Sequence, residues 1–185
     1  MFDIACTQPR EAALSCADAA LRRAAVTDRR FDPDAQALWR EAMLDRIARA
    51  KGRRGVRDAA WIVAFSDGRA ELPGESVSRL QLHRLGFRDL DLQVPVKGPH
   101  GFDYFVDIGL RDVRTFWEFD GEVKYRDSAM RRGRSVEDVV LDEKRREDWI
   151  RGVTQWRLCR GGFADIVSPE ALGARLAAFG VRSPR

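Results

Sequence analysis

Residues 106–125 read VDIGLRDVRTFWEFDGEVKY, and no other segment constrains the fold as tightly. Phe102, Tyr104, Val106, Ile108 and Leu110 fall on one side of an alternating run, with Asp103, Phe105, Asp107 and Gly109 on the other. That is the period of a half-buried strand. RDVR turns the chain, TFWEFD supplies the next strand at 115–120, and Gly121 ends it. A hairpin centred between Asp112 and Val113 sets Asp107 opposite Glu118, with Cβ atoms about 5 Å apart. Asp120 follows on the same face, so three carboxylates converge on a sheet otherwise built from Phe, Trp, Val and Ile.

Like charges placed opposite one another destabilise a sheet, and a cation is the natural compensator. Oxygen ligands without His or Cys nearby suit Mg²⁺ or Mn²⁺ rather than zinc. Such an ion polarises phosphate oxygens and activates water, the two needs of phosphodiester hydrolysis. Lys124, just past the strand, is placed to assist that water. On spacing alone the acids equally suit a solvated hairpin face. Glu75, after Pro73-Gly74, adds a fourth acid in the first turn of a helix, where it serves as well as a cap.

The remainder of the chain is helical in its first third. Periodic apolar positions predict helices over residues 11–23, 34–50, 55–65 and 75–85. A strand is expected at 92–96, then the acidic hairpin, a helix at 136–151, a strand at 155–160 and a closing helix at 169–179. The run DEKRREDWIRG at 142–152 reads alone as a surface helix, with Lys144, Asp148 and Arg151 on one face and Arg145 and Trp149 on another. ARAKGRRGVR at 48–57, which holds Arg53, Arg54 and Arg57, contains no acid and suits either phosphates or solvent.

Composition bounds the function classes. At 44% hydrophobic and 34% charged, the 185 residues read as an ordinary globular chain. No apolar run approaches the ~20 residues of a membrane span, and the opening lacks the order of a signal peptide, so no membrane partner and a cytoplasmic location are expected. Three cysteines without CxxC spacing and two histidines argue against disulfide frameworks, zinc sites and HNH-type nucleases. The net charge of +4 permits a polyanionic partner without requiring one.

Taken together, GESVSR (74–79), VDIGL (106–110), EFDGEVKY (118–125) and DEKRRED (142–148) resemble the PD-(D/E)xK, or restriction-endonuclease-like, superfamily. The likeness is to its very-short-patch-repair-type branch, and more closely to actinobacterial endonuclease-domain or AbiEi-like antitoxin proteins. It covers about residues 70–180. It implies an α/β (α+β) fold with a three-layer restriction-endonuclease-like core, a mixed sheet flanked by helices, at 71–185, behind a helical N-terminal segment at 1–70. Carried over by motif, Glu75, Asp107, Glu118, Asp120 and Lys124 would be catalytic, with Asp107, Glu118 and Asp120 holding Mg²⁺ or Mn²⁺. Arg53, Arg54, Arg57, Arg131, Arg132, Lys144 and Arg145 would contact DNA.

Two departures qualify the likeness. Asp120 stands where the superfamily carries its strand Lys, and the start of the chain resembles the segment that follows a winged-helix domain in AbiEi-like proteins. The resemblance therefore implies a metal-dependent DNA endonuclease. Its alternative is an inactive nuclease-fold DNA-binding regulator or antitoxin, with a cognate toxin or a winged-helix domain as partner.

Overall fold

The computed structural model describes residues 1–121 and 136–184. Lys124, Arg131 and Arg132 lie outside the described residues. The protein is mixed α/β, with seven α-helices and a four-stranded mixed sheet among the described residues. It divides into two compact units, Met1–Leu80 and Gln81–Arg185.

The first unit holds α1 (Phe2–Thr7), α2 (Arg10–Ala25), α3 (Pro33–Arg49), α4 (Val56–Phe65) and most of α5 (Pro73–Arg84), within which the division falls. Between α2 and α3 the structure adds a feature that the helical reading missed, a hairpin of β1 (Val26–Thr27) and β2 (Arg30–Phe31). Its two-residue loop, Asp28 and Arg29, has φ of 48° and 64°. Left-handed turns of this kind match strand twist but usually carry Asn-Gly or Asp-Gly, so Asp-Arg gives no sequence signal. The helix α3 starts where its chemistry dictates: Pro33 opens it, and the Asp32 carboxylate accepts from Asp34 N at 2.9 Å and Ala35 N at 3.0 Å.

Small residues let these helices approach closely. Ala13, Leu14 and Ala17 of α2 share one cluster with Ala59, Ile62 and Val63 of α4. Gly55, at φ 83°, begins α4 against the backbone carbonyl of Cys6, and a Cβ there would collide with it. Inside this unit Asp18 and Arg79 form a buried ion pair at 2.9 Å. Burial pushes the Asp18 carboxyl up, against the pull of the Arg79 guanidinium and the Asp67 N–H.

In the second unit the sheet runs β3 (Leu90–Lys97), β4 (Asp103–Leu110), β5 (Thr115–Phe119) and β6 (Arg157–Gly161), in that spatial order. The first three strands are antiparallel, and β6 lies parallel to β5. A parallel neighbour needs a long crossover, which here includes α6 (Val136–Thr154). After β6 comes α7 (Pro169–Ala178), whose N-cap Ser168 accepts from Ala171 N at 3.2 Å. All five residues of β5 are buried, as a central strand covered on both faces requires. Ile150 of α6 packs with Val96, Val106, Phe116 and Leu158, and Trp156 stacks on Phe116 with ring centroids 4.8 Å apart.

The hairpin register is the one the sequence predicts: Ile108 pairs with Trp117, Gly109 with Phe116 and Leu110 with Thr115. The expected alternation along β4 fails at one point. The β3–β4 ladder joins Leu92 to Ile108 and Val94 to Val106, skipping the rung between Gln93 and Asp107, and Gln93 has φ 51°. Val106 packs with Phe116 and Leu158, whereas Ile108 is paired with Trp117 on the other face. The pleat therefore reverses at Asp107. Gly109 permits the reversal, because a Cβ there would stand 3.0 Å from Val94 Cγ2.

Candidate functional site

Asp107 sits where β4 and β5 part. The register pairing of these strands runs from Leu110 and Thr115 to Ile108 and Trp117, and beyond it Asp107 Oδ2 accepts the backbone N–H of Phe119 at 2.9 Å. A side chain thus replaces a ladder hydrogen bond, and the carboxylate is held against the Glu118–Phe119 peptide. At this fork Asp107 meets β5 at the N–H of Phe119, the residue that follows Glu118.

Glu118 is 7% exposed and both its oxygens are engaged. Arg146 of α6 donates to Oε1 at 2.6 Å, and Arg160 of β6 donates to Oε2 at 2.8 Å. Arg160 faces Glu118 as its register partner on the parallel strand. Glu143 joins the network, 2.7 Å from Arg160 and 3.4 Å from Arg146, and Glu147 lies 3.7 Å from Arg160. Arg146 also donates to the Phe105 carbonyl at 2.6 Å. Burial works against the Arg146 charge, but the Glu118 hydrogen bond and the nearby carboxylates outweigh it, and its pKa is raised.

Asp120 follows β5 and its N–H donates to the Gly161 carbonyl at 2.9 Å. Among the described residues, no group of three or more His, Cys, Asp or Glu side chains is arranged to hold a metal ion. Glu75 belongs to the first unit, where it is 1% exposed and its Oε2 accepts from Glu71 N at 2.9 Å. Arg53, Arg54 and Arg57 are exposed in that unit, and Arg53 pairs with Asp3 at 3.3 Å. Lys144 and Arg145 are exposed on α6, with Arg145 3.4 Å from Asp142.

Sequence reasoning does not single out Arg160 and Glu143, which complete the fork, and it reads Arg146 as a contact to the DNA backbone rather than as the partner of Glu118. The signal was present in α6. Glu143, Arg146, Glu147 and Ile150 recur at positions i, i+3, i+4 and i+7, the spacing of one helix face. Ile150 is fully buried, so that face turns inward. Cys159 behind Arg160 is buried, and burial raises its thiol to about 11, which leaves it unreactive.

No family model matches the chain, and no solved structure does. The chain is 32% identical over 111 residues to "Uncharacterized protein Rv2248" of Mycobacterium tuberculosis (strain ATCC 25618 / H37Rv), and equally to "Uncharacterized protein MT2308" of strain CDC 1551 / Oshkosh. The match takes in 60% of this chain and spans 36% of either relative's length.

Proposed function

We propose that residues 81–185 form a domain of restriction-endonuclease-like architecture that engages nucleic acid without hydrolysing it, as a regulator or antitoxin module does. The order β-β-β-α-β-α of its strands and α-helices and the acid held between β4 and β5 support the architecture. The observation that carries the non-hydrolytic reading is the double clamp on Glu118. Metal-assisted hydrolysis needs carboxylate oxygens free to coordinate an ion with open positions. Here both Glu118 oxygens are committed to guanidiniums, and Asp107 Oδ2 to a backbone N–H. The positive charge that Glu118 requires is supplied by the protein itself.

In this reading Arg53, Arg54, Arg57, Lys144 and Arg145, all exposed, hold DNA phosphates, and a cognate toxin is the expected protein partner. The position of the Asp107 carboxylate on the N–H that follows Glu118 favours one rival, a Mg²⁺- or Mn²⁺-dependent endonuclease. Asp107, Glu118 and Asp120 would then take the ion in exchange for Arg146 and Arg160, with Lys124 and Glu75 as further site residues.

Supercoiled plasmid and single-stranded DNA incubated with Mg²⁺ or Mn²⁺ separate the two. The proposal expects intact DNA, together with duplex binding that weakens steeply as salt rises. Cleavage by the wild type that disappears in both Asp107→Ala and Glu118→Ala would establish the nuclease instead.

A further inference from the structure

A second feature lies at the other end of β5 from the fork, wholly within the second unit. The β4–β5 turn and the α6–β6 junction border an open cleft of about 720 Å³. Arg114, Arg151, Gln155, Trp156, Arg157 and Phe179 contribute to its wall, and among the described residues no carboxylate does. Small-molecule sites commonly measure about 300–1,000 Å³.

Arg114, Arg151 and Arg157 line the same cleft, and like charges brought close repel each other unless a counter-charge is present. Arg151 has one, Glu147 at 2.7 Å. Arg114 and Arg157 have no ion-pair partner among the described residues, although the Arg157 N–H donates to the Arg114 carbonyl at 3.2 Å. The backbone is strained at the same place. Arg114 has φ 47° and Gln155 has φ 57°, two of the five non-glycine residues with positive φ among those described. Each such residue costs roughly 1–2 kcal/mol, and such strain concentrates at binding sites. Trp156, the aromatic wall, is fixed by its stack on Phe116, with rings inclined at 29°.

We infer that this cleft binds a nucleoside phosphate, with Arg114, Arg151 and Arg157 on the phosphates and Trp156 against the base. Planar guanidinium forks match phosphate oxygens, and an indole offers a stacking surface to any base. Inorganic phosphate would satisfy the charges but leave most of the cleft and its aromatic wall unused. The inference is independent of the chemistry at the fork. The same group reaches the cleft either as a free nucleotide or as the phosphorylated 5′ end of a strand.

The test is calorimetric titration of the full chain with ATP, inorganic phosphate, and a short thymidine oligonucleotide with and without a 5′ phosphate. The variants are Arg114→Gln/Arg157→Gln, Arg157→Gln alone, and Trp156→Phe. A control, Arg23→Gln/Arg30→Gln, removes the same charge from exposed positions of the first unit. The expected result is saturable ATP binding that weakens at least tenfold in the double variant, equivalent to ~1.4 kcal/mol, and is unchanged in the control. Arg157→Gln alone gives a smaller loss in the same direction and serves if the double variant does not fold. Trp156→Phe weakens ATP without changing inorganic phosphate. Preference for the 5′-phosphorylated oligonucleotide over ATP identifies a strand end as the source, and the reverse identifies a free nucleotide. Absence of saturable binding by every phosphorylated probe at about 1 mM overturns the inference. So does binding that is unchanged in the arginine variants, or reduced as much in the control.

Discussion

Arg160 and Glu118 are register partners on neighbouring parallel strands, and the guanidinium of one donates to the carboxylate of the other at 2.8 Å. With Arg146 at 2.6 Å on the second oxygen, a carboxylate that the sequence marks as a metal ligand is neutralised internally. The three side chains tie together β5, β6 and α6.

Removing Glu118 leaves two guanidiniums, about one-fifth exposed, without their most buried counter-charge and with Glu143 and Glu147 as the carboxylates that remain. Truncating one partner of a buried ion pair is costly, so Glu118→Ala should destabilise the protein by roughly 2–4 kcal/mol. Glu118→Gln, which keeps one acceptor oxygen, should lose less. Urea unfolding of both variants measures this, and a loss below about 0.5 kcal/mol for the alanine variant would mean the network is solvated.

Asp107 is tested by separating its charge from its shape. Its Oδ2 accepts the Phe119 N–H, a role that an amide oxygen can fill. Asp107→Asn should therefore stay within about 1 kcal/mol of wild type, and Asp107→Ala, which orphans the N–H, should lose about 1–3 kcal/mol. Equal losses in the two variants would show that the carboxylate charge, and not the hydrogen bond, matters at the fork.

How far the sequence reveals this arrangement depends on the range of the interaction. The register of the β4–β5 hairpin follows from RDVR and strand alternation, because both are local. The reversal at Asp107 does not. It depends on a left-handed Gln93 on another strand and on the missing side chain of Gly109, neither of which leaves a periodic trace. The clamp on Glu118 was hidden for a similar reason. Arg146 and Arg160 come from elements 28 and 42 residues away, and Arg146 occupies a helix whose charged pattern resembles a solvated one. The fork's acids are legible from their spacing, whereas their counter-charges emerge only when α6 packs on the sheet through Ile150.

Trp117 is fully buried, and its indole N–H has no hydrogen-bond partner among the described residues. Trp117→Ala should cost about 3–5 kcal/mol, the range for emptying a large aromatic site. Trp117→Phe should cost markedly less, because it also removes an unsatisfied donor. Thermal unfolding of the two variants supplies the comparison, and equal losses would contradict it.

Acid stability carries a separate signature from the first unit. Burial pushes Asp67 up, but hydrogen bonds and charge from Arg69 outweigh it and hold its carboxyl below the ordinary 3.8. A carboxyl held down in the folded state contributes stability that is complete above its unfolded pKa and is lost as pH falls through the lower folded value. Asp67→Asn should therefore be less stable than wild type near neutrality, with the gap closing as pH drops below about 3.8. Unfolding midpoints measured between neutral and strongly acidic pH follow this, and a gap independent of pH would contradict it.

The central claim is that protein guanidiniums, not a divalent ion, neutralise Glu118. Calorimetric titration of Mg²⁺ into the wild-type protein tests it most directly, alongside Asp107→Ala and Glu118→Gln. The account predicts no saturable binding at the fork in any of the three. Saturable binding to the wild type that both substitutions abolish would contradict it and restore the metal-dependent nuclease.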